Sequence, residues 1–176
     1  MIESLISSKT KIKLLLKFFL NSNNSSYLRG LESEFDESSN AIRLELNKLE
    51  EAGLLRSNIQ GNKKYFQANQ SHPLFNDIYN ILLKFTGLDS LFEKVINQLG
   101  ELEHVFVVGN LAKGLSSEII DLVFVGDIDK SYLFQLVQKA ENELSKKIKY
   151  VCYLPSEFSE QKFIAYRKDY LLLWSN

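Results

Sequence analysis

The stretch from Gly109 to Gly126, GNLAKGLSSEIIDLVFVG, decides how the second half of this chain folds. It opens with a polar, glycine-containing turn and closes with the apolar run Ile119–Val125, which has the composition of a strand. A second apolar run, His104–Val108, lies directly before the turn. The pattern predicts two strands joined by a turn and a short helix, with glycines at the bends.

The turn and the strand after it resemble the active-site motif of DNA polymerase beta-like nucleotidyltransferases. That family carries Gly-Ser at a strand-to-helix turn and then Asp-x-Asp at the opening of the next strand. Here Gly109-Asn110 stands at the Gly-Ser position and Ile119-Ile120-Asp121 at the Asp-x-Asp position. The family's third acid belongs to a later strand, which we predict at Lys149–Leu154, a stretch without Asp or Glu.

The missing acids bear directly on activity. The resemblance implies two Mg²⁺ ions held by clustered carboxylates, because hard cations take oxygen ligands and must bridge the phosphate and the attacking oxygen. One carboxylate beside an isoleucine does not hold that pair. We therefore predict a degenerate domain that is not an enzyme, with no catalytic residue, metal ligand or cofactor. Its turn still offers groups for binding a nucleotide or phosphate, namely Gly109, Asn110, Lys113 and Asp121.

Three alternatives stay open for this half of the chain. It is an unrelated strand-turn-helix unit, or its pocket is vestigial and the domain only dimerises or docks. In the third alternative the protein is an active nucleotidyltransferase that modifies a protein or small molecule. Asp121 would then share metal ions with Asp127 or Asp129, which otherwise indicate a solvated turn.

Length and charge set broader limits. The 176 residues suffice for one large or two small domains. Residues 1–87 hold 11 Lys and Arg against 9 Asp and Glu, a net charge of +2, whereas residues 88–176 hold 10 against 13, a net charge of −3. A polyanion would therefore bind the first half. The single cysteine excludes an internal disulfide, and the sequence shows no signal peptide or membrane span, so we expect a cytoplasmic protein.

The first half has the pattern of three helices and a hairpin. Helices are predicted from Ser8 to Leu20, with lysines on the outer side, from Ser26 to Phe35, and from Ser39 to Ala52, where Gly53 ends the last one. Two strand-like runs follow, separated by Gln60-Gly61-Asn62-Lys63, which is a hairpin signal. This order predicts a winged helix-turn-helix.

The third helix and the hairpin resemble those of ArsR- and MarR-like bacterial regulators. In these families Leu-x-x-Leu-Glu-x-x-Gly-Leu is common before the hairpin, and Leu46–Leu54 nearly reproduces it. The resemblance covers roughly the first 70 residues and implies binding to double-stranded DNA. Docking on a protein is the alternative, since winged helices also serve that purpose.

Sorting the third helix by face gives the candidate DNA contacts. Ile42, Leu46 and Leu49 lie along one stripe and are predicted to face the core, which leaves a polar stripe on the opposite side. Arg pairs with guanine and Asn with adenine through two hydrogen bonds each, so these residues suit base edges. The helix start and the hairpin tip suit phosphates. The predicted DNA-binding residues are Ser39, Asn40, Arg43, Asn47, Lys63 and Lys64.

We therefore predict an α+β protein in three parts. Residues 1–70 form the winged helix-turn-helix, 71–87 a linker helix that also dimerises, and 88–176 a small mixed-sheet nucleotidyltransferase-like domain. In the last part we expect a helix over 131–146, a final helix opening at Pro155, and an apolar surface at 170–174. The predicted function is a dimeric, DNA-binding bacterial transcriptional regulator whose second domain senses a ligand or dimerises.

Overall fold

The computed structural model describes residues 6–99, 101–115, 117–166 and 169–175. They divide into two compact units, one ending at Phe85 and the other beginning at Thr86. Each unit contains one β-sheet, so the chain is α+β, as predicted. In the described part of the chain, no helix is long and apolar enough to cross a membrane.

The first unit begins with helical segments and ends with a hairpin and a further helix. Its sheet has three antiparallel strands in the order β1-β3-β2. Helix α1 continues directly into the π-helical segment Leu16–Leu20. The labelled elements are α1 Lys9–Leu15, β1 Ser26–Tyr27, α2 Leu28–Phe35, α3 Ser39–Glu51, β2 Leu55–Gln60, β3 Lys63–Ala68 and α4 Phe75–Thr86.

The core of this unit confirms the sorting of α3 into two faces. Ile42, Leu46 and Leu49 are buried, with exposed fractions of 0, 1 and 4%. Phe18 and Phe19 of the π-helical segment are fully buried as well. The apolar stripe of α3 therefore anchors the helix, and the opposite stripe stays exposed to solvent.

Two predictions for this unit were wrong. Ser26 and Tyr27 are a strand and not the start of a helix, because they pair with Phe66 and Tyr65 of β3. Lys17 does not lie on an outer face with the other lysines. It is buried and pairs with Glu34 at 2.7 Å. A π-helical turn holds more residues than an α-helical turn, so the 3.6-residue period misplaces side chains there.

The second unit is a four-stranded mixed sheet with helices. The strand order is β6-β5-β4-β7. Strand β4 is antiparallel to β5 and β7, and β5 is parallel to β6. The elements are α5 Leu88–Lys94, β4 Leu102–Val108, α6 Gly109–Ala112, β5 Ile119–Gly126, α7 Lys130–Leu144, β6 Lys147–Tyr153, α8 Glu160–Tyr166 and β7 Leu171–Ser175.

The C-terminal segment differs from its prediction. The apolar stretch at 170–174 was predicted as surface without a secondary structure, and Leu171–Ser175 form an edge strand that pairs with β4, on which Leu172 is 47% exposed. The last helix starts at Glu160 and not at Pro155, because the amides of Glu157 and Phe158 bond back to the carbonyl of Leu154 in a turn. An aromatic cluster covers this side of the sheet and consists of Phe106, Phe158, Phe163 and Tyr170.

The two faces of α3 predict very different costs for the same substitution. Leu49→Ala is expected to lower the free energy of unfolding by about 2–5 kcal/mol, because it leaves a cavity in the core. Leu44→Ala is the matched control, since Leu44 is 56% exposed on the same helix and its loss should change stability by less than about 0.5 kcal/mol. Urea unfolding followed by circular dichroism measures both, and equal costs would contradict this assignment of faces.

Candidate functional site

The start of α3 is fixed by a side-chain cap. The hydroxyl oxygen of Ser38 accepts a hydrogen bond from the amide of Ala41 at 3.3 Å, so the helix begins at Ser39. Ser39 is half-buried, while Asn40, Arg43 and Asn47 are exposed along one side of the helix. The polar stripe predicted from the sequence is therefore available to a partner.

Two of the three acidic residues of α3 pair with lysines of the same unit, whereas Glu51 is exposed. Glu45 is buried and lies 3.4 Å from the Lys11 ammonium and 3.6 Å from that of Lys48. Glu50 accepts hydrogen bonds from Lys64, at 2.6 Å, and from the Ser57 hydroxyl. These two bonds hold the pKa of the Glu50 carboxyl below its ordinary value. Both carboxylates therefore repel a polyanion less than their places in the sequence suggest.

The hairpin lysines make different contacts. The Lys63 ammonium lies over the ring of Tyr27, 4.2 Å from its centroid. The Lys64 ammonium lies 5.0 Å from the centroid of Phe66 and also binds Glu50. Lys63 thus keeps its charge at the surface, whereas that of Lys64 is shared with a carboxylate.

A cleft of about 440 Å³ lies between α3 and the hairpin. It brings together four of the predicted DNA-binding residues, Arg43, Asn47, Lys63 and Lys64, whereas Ser39 and Asn40 do not line it. The other lining residues are Tyr27, Leu28, Arg29, Leu46, Asn62 and Phe66.

Three polar lining residues were not predicted as site residues from the sequence. Tyr27 and Arg29 belong to β1 and the start of α2, and they reach the cleft because β1 pairs with β3 of the hairpin. Asn62 stands in the hairpin turn itself. The turn motif pointed to Asn62, but a two-residue strand leaves no periodic pattern that would have revealed the other two.

The second candidate site is the turn after β4. Gly109 has a φ of +70°, and the Asp121 carboxylate packs against it, with Oδ2 2.6 Å from the position a Cβ would take. Asn110 is exposed and Lys113 half-buried around this turn. A carboxylate placed over the turn repels a phosphate, so the geometry favours anion binding at this turn less than the sequence pattern indicated.

The strands around Asp121 do not gather further acids. In the register of β5 with β6, Asp121 stands opposite Lys149 and Ile119 opposite Lys147. Asp127 follows the far end of β5, about 20 Å from Asp121 at the rise of an extended strand. The Asp129 side chain caps α7 by accepting from the amides of Ser131 and Tyr132. The structure therefore does not bring Asp121 together with Asp127 or Asp129.

Potential metal ligands are not clustered elsewhere in the described part of the chain either. Within the described residues, no group of three or more His, Cys, Asp or Glu side chains could hold a metal ion.

Known proteins resemble this chain only distantly, in structure and at low sequence identity. No family model matches the chain, and no curated protein matches it. Similar solved structures include the AF1382 protein of Archaeoglobus fulgidus, at 16% identity and a TM-score of 0.38 over 53% of this chain and 98% of that one. They also include a chain from the complex of the tri-AMPylated Shewanella oneidensis HEPN toxin with its MNT antitoxin, at 15% identity and a TM-score of 0.37 over 50% and 69%.

A third similar structure is a candidate nucleotidyltransferase from Sulfolobus solfataricus, at 21% identity and a TM-score of 0.33 over 53% of this chain and 83% of that one. Likenesses at these scores decide neither the fold nor the function of this chain.

The Gly109 turn gives a prediction that isolates the Asp121 contact. Gly109→Ala is expected to destabilise the protein by about 2–4 kcal/mol, of which roughly 1–2 comes from the left-handed backbone and the rest from displacing the carboxylate. In an Asp121→Ala background the same substitution should cost the backbone part alone. Chemical unfolding of the four variants tests this, and an equal cost in both backgrounds would show that the carboxylate does not rest on the turn.

Proposed function

We propose that this protein is a dimeric, DNA-binding transcriptional regulator whose first unit is a winged helix-turn-helix. The order helix, strand, helix, helix, strand, strand supports this assignment, as does the pairing of the short first strand with the hairpin. The observation that carries the proposal is that Arg43 and Asn47 of α3 line the same cleft as the hairpin lysines. Side chains that suit base edges and side chains that suit phosphates are thereby presented on one surface.

Dimerisation follows from the small charge of the DNA-binding half. A net charge of +2 over residues 1–87 supplies few phosphate contacts per copy, so two copies on adjacent half-sites strengthen binding. Leu74, just before α4, is 53% exposed, and Ile81, within α4, is 49% exposed. They offer apolar surface for a partner copy on the predicted linker helix.

For the second unit we propose a nucleotidyltransferase-like domain that does not transfer nucleotides. An antiparallel strand pair, a glycine turn between its strands and a parallel third strand support the resemblance. The lysines opposite Asp121 and Ile119 support the loss of activity, since they stand in register beside the positions where the family places its acids. Binding of a nucleotide or phosphorylated effector at Gly109, Asn110 and Lys113 stays a prediction, and it requires Lys113 or a bound cation to offset Asp121.

Selection of bound fragments from a pool of random duplexes at about 0.1 M salt tests the regulator. Wild type is expected to enrich a two-fold-symmetric site, and Arg43→Ala/Asn47→Ala should lose the preference, because each lost base pairing removes about 1–3 kcal/mol of discrimination. A matched control is Arg56→Ala/Asn23→Ala, which removes one exposed Arg and one exposed Asn outside the cleft. Equal enrichment by wild type and the Arg43/Asn47 variant would refute base reading by α3, and no enrichment by wild type would refute the regulator.

The second candidate function is nucleotidyl transfer to a protein or small molecule. It is favoured by one observation, the Asp121 carboxylate held at the turn where the family binds metal. Incubation with labelled ATP or CTP and Mg²⁺ or Mn²⁺ tests it. We expect no transfer by wild type above the level of Asp121→Asn. Label incorporation that the Asp121 substitution abolishes would establish the enzyme and overturn our assignment of this unit.

A further inference from the structure

The cleft between α3 and the hairpin has an unusual charge balance. Four of its lining residues are cationic, and none is acidic. Glu50 neutralises Lys64, but the guanidinium groups of Arg29 and Arg43 form no ion pair or hydrogen bond within the described residues. Both arginines are exposed. Two arginines and Lys63 therefore give the cleft an excess of positive charge.

The floor of the same cleft is apolar. Leu46 and Phe66 are 1 and 5% exposed, and the Tyr27 ring carries the Lys63 ammonium on one face. A volume of about 440 Å³ falls within the roughly 300–1,000 Å³ of small-molecule sites. The cleft is thus large enough for a whole nucleotide, and it combines an apolar floor with a cationic rim.

We propose that this cleft binds a phosphoryl group through Arg29. Arg43 is a second donor for a free phosphorylated molecule, whereas on duplex DNA Arg43 reads a base edge and Arg29 binds the phosphate. A guanidinium offers a planar fork of N–H groups that matches two oxygens of a phosphate, and no carboxylate among the described residues pairs with either fork. The inference rests on the proposed function for one source of the phosphate, the backbone of duplex DNA. The other source is a free phosphorylated small molecule, whose apolar part would cover the floor.

The test uses the full-length chain and three probes. Calorimetric titration measures binding of inorganic phosphate and of AMP, and fluorescence anisotropy measures binding of a mixed-sequence duplex. The variants are Arg29→Ala, Arg29→Lys and the control Arg56→Ala, which removes an exposed arginine of the same unit outside the cleft. Circular dichroism shows that each is folded.

We expect Arg29→Ala to weaken binding of at least one probe by about tenfold or more, the scale for losing a charge-assisted bond. Arg29→Lys should recover part of the loss, and Arg56→Ala should change affinity by less than about threefold. If Arg29→Ala weakens binding of AMP, and AMP displaces the duplex from the wild type, the source of the phosphate is a free molecule that competes with DNA. If Arg29→Ala weakens binding of the duplex, and neither AMP nor phosphate binds the wild type at millimolar concentration, the source is the DNA backbone.

The outcomes separate this inference from the proposed function. If Arg29→Ala binds every probe as Arg56→Ala does, the phosphoryl site is overturned, even where the wild type still selects a DNA sequence. If AMP or phosphate binds through Arg29 but no duplex binds at all, the site stands and the regulator fails. Wild type that binds none of the probes refutes both.

Discussion

Everything that we propose for the first unit depends on one small piece of sheet. Ser26 and Tyr27 pair with Phe66 and Tyr65, and this two-residue strand joins the helical segment to the hairpin. The rings of Tyr27 and Tyr65 meet edge to face at 5.3 Å between centroids and add apolar contact to the pairing. The pairing places Arg29, two residues after Tyr27, beside the hairpin, where it lines the cleft.

The second unit depends on a comparable constraint at Gly109. The left-handed backbone there turns the chain out of β4, and the absent side chain leaves room for the Asp121 carboxylate. This is a turn built around an acid, which in an enzyme would be one of several. Here the neighbouring strand places Lys147 and Lys149 in register with Ile119 and Asp121, and the Lys147 ammonium binds Glu141 at 3.1 Å. The positions of β6 in register with Ile119 and Asp121 are therefore basic and not acidic.

The sequence predicted those features that rest on long periodic patterns or on a turn with a clear signature. The two faces of α3, the hairpin with Gly61 and Asn62, and the strands on either side of Gly109 are of this kind. Short or tertiary-dependent features were missed. Strand β1 has two residues, too few for a periodic pattern. Strand β7 is an apolar run that becomes a strand by pairing with the free edge of β4. Lys17 is buried because a π-helical turn departs from the α-helical period. The cleft could not be predicted, because Arg29 and Lys63 meet through sheet pairing across more than thirty residues.

The bond between Lys64 and Glu50 has a mechanical consequence. It joins β3 to the last turn of α3, close to where the chain passes from the helix into β2, and so adds a side-chain link beside the covalent one. Lys64 and Ser57 hold the pKa of the Glu50 carboxyl below its ordinary value, so the carboxylate stays ionised further into the acidic range than an ordinary one. The stabilisation it gives is present above the ordinary carboxyl pKa and is lost only as the pH falls through the lowered value. In neutral solution the ion pair therefore links α3 to the hairpin that forms the other side of the cleft, so a substitution at either partner acts on both walls.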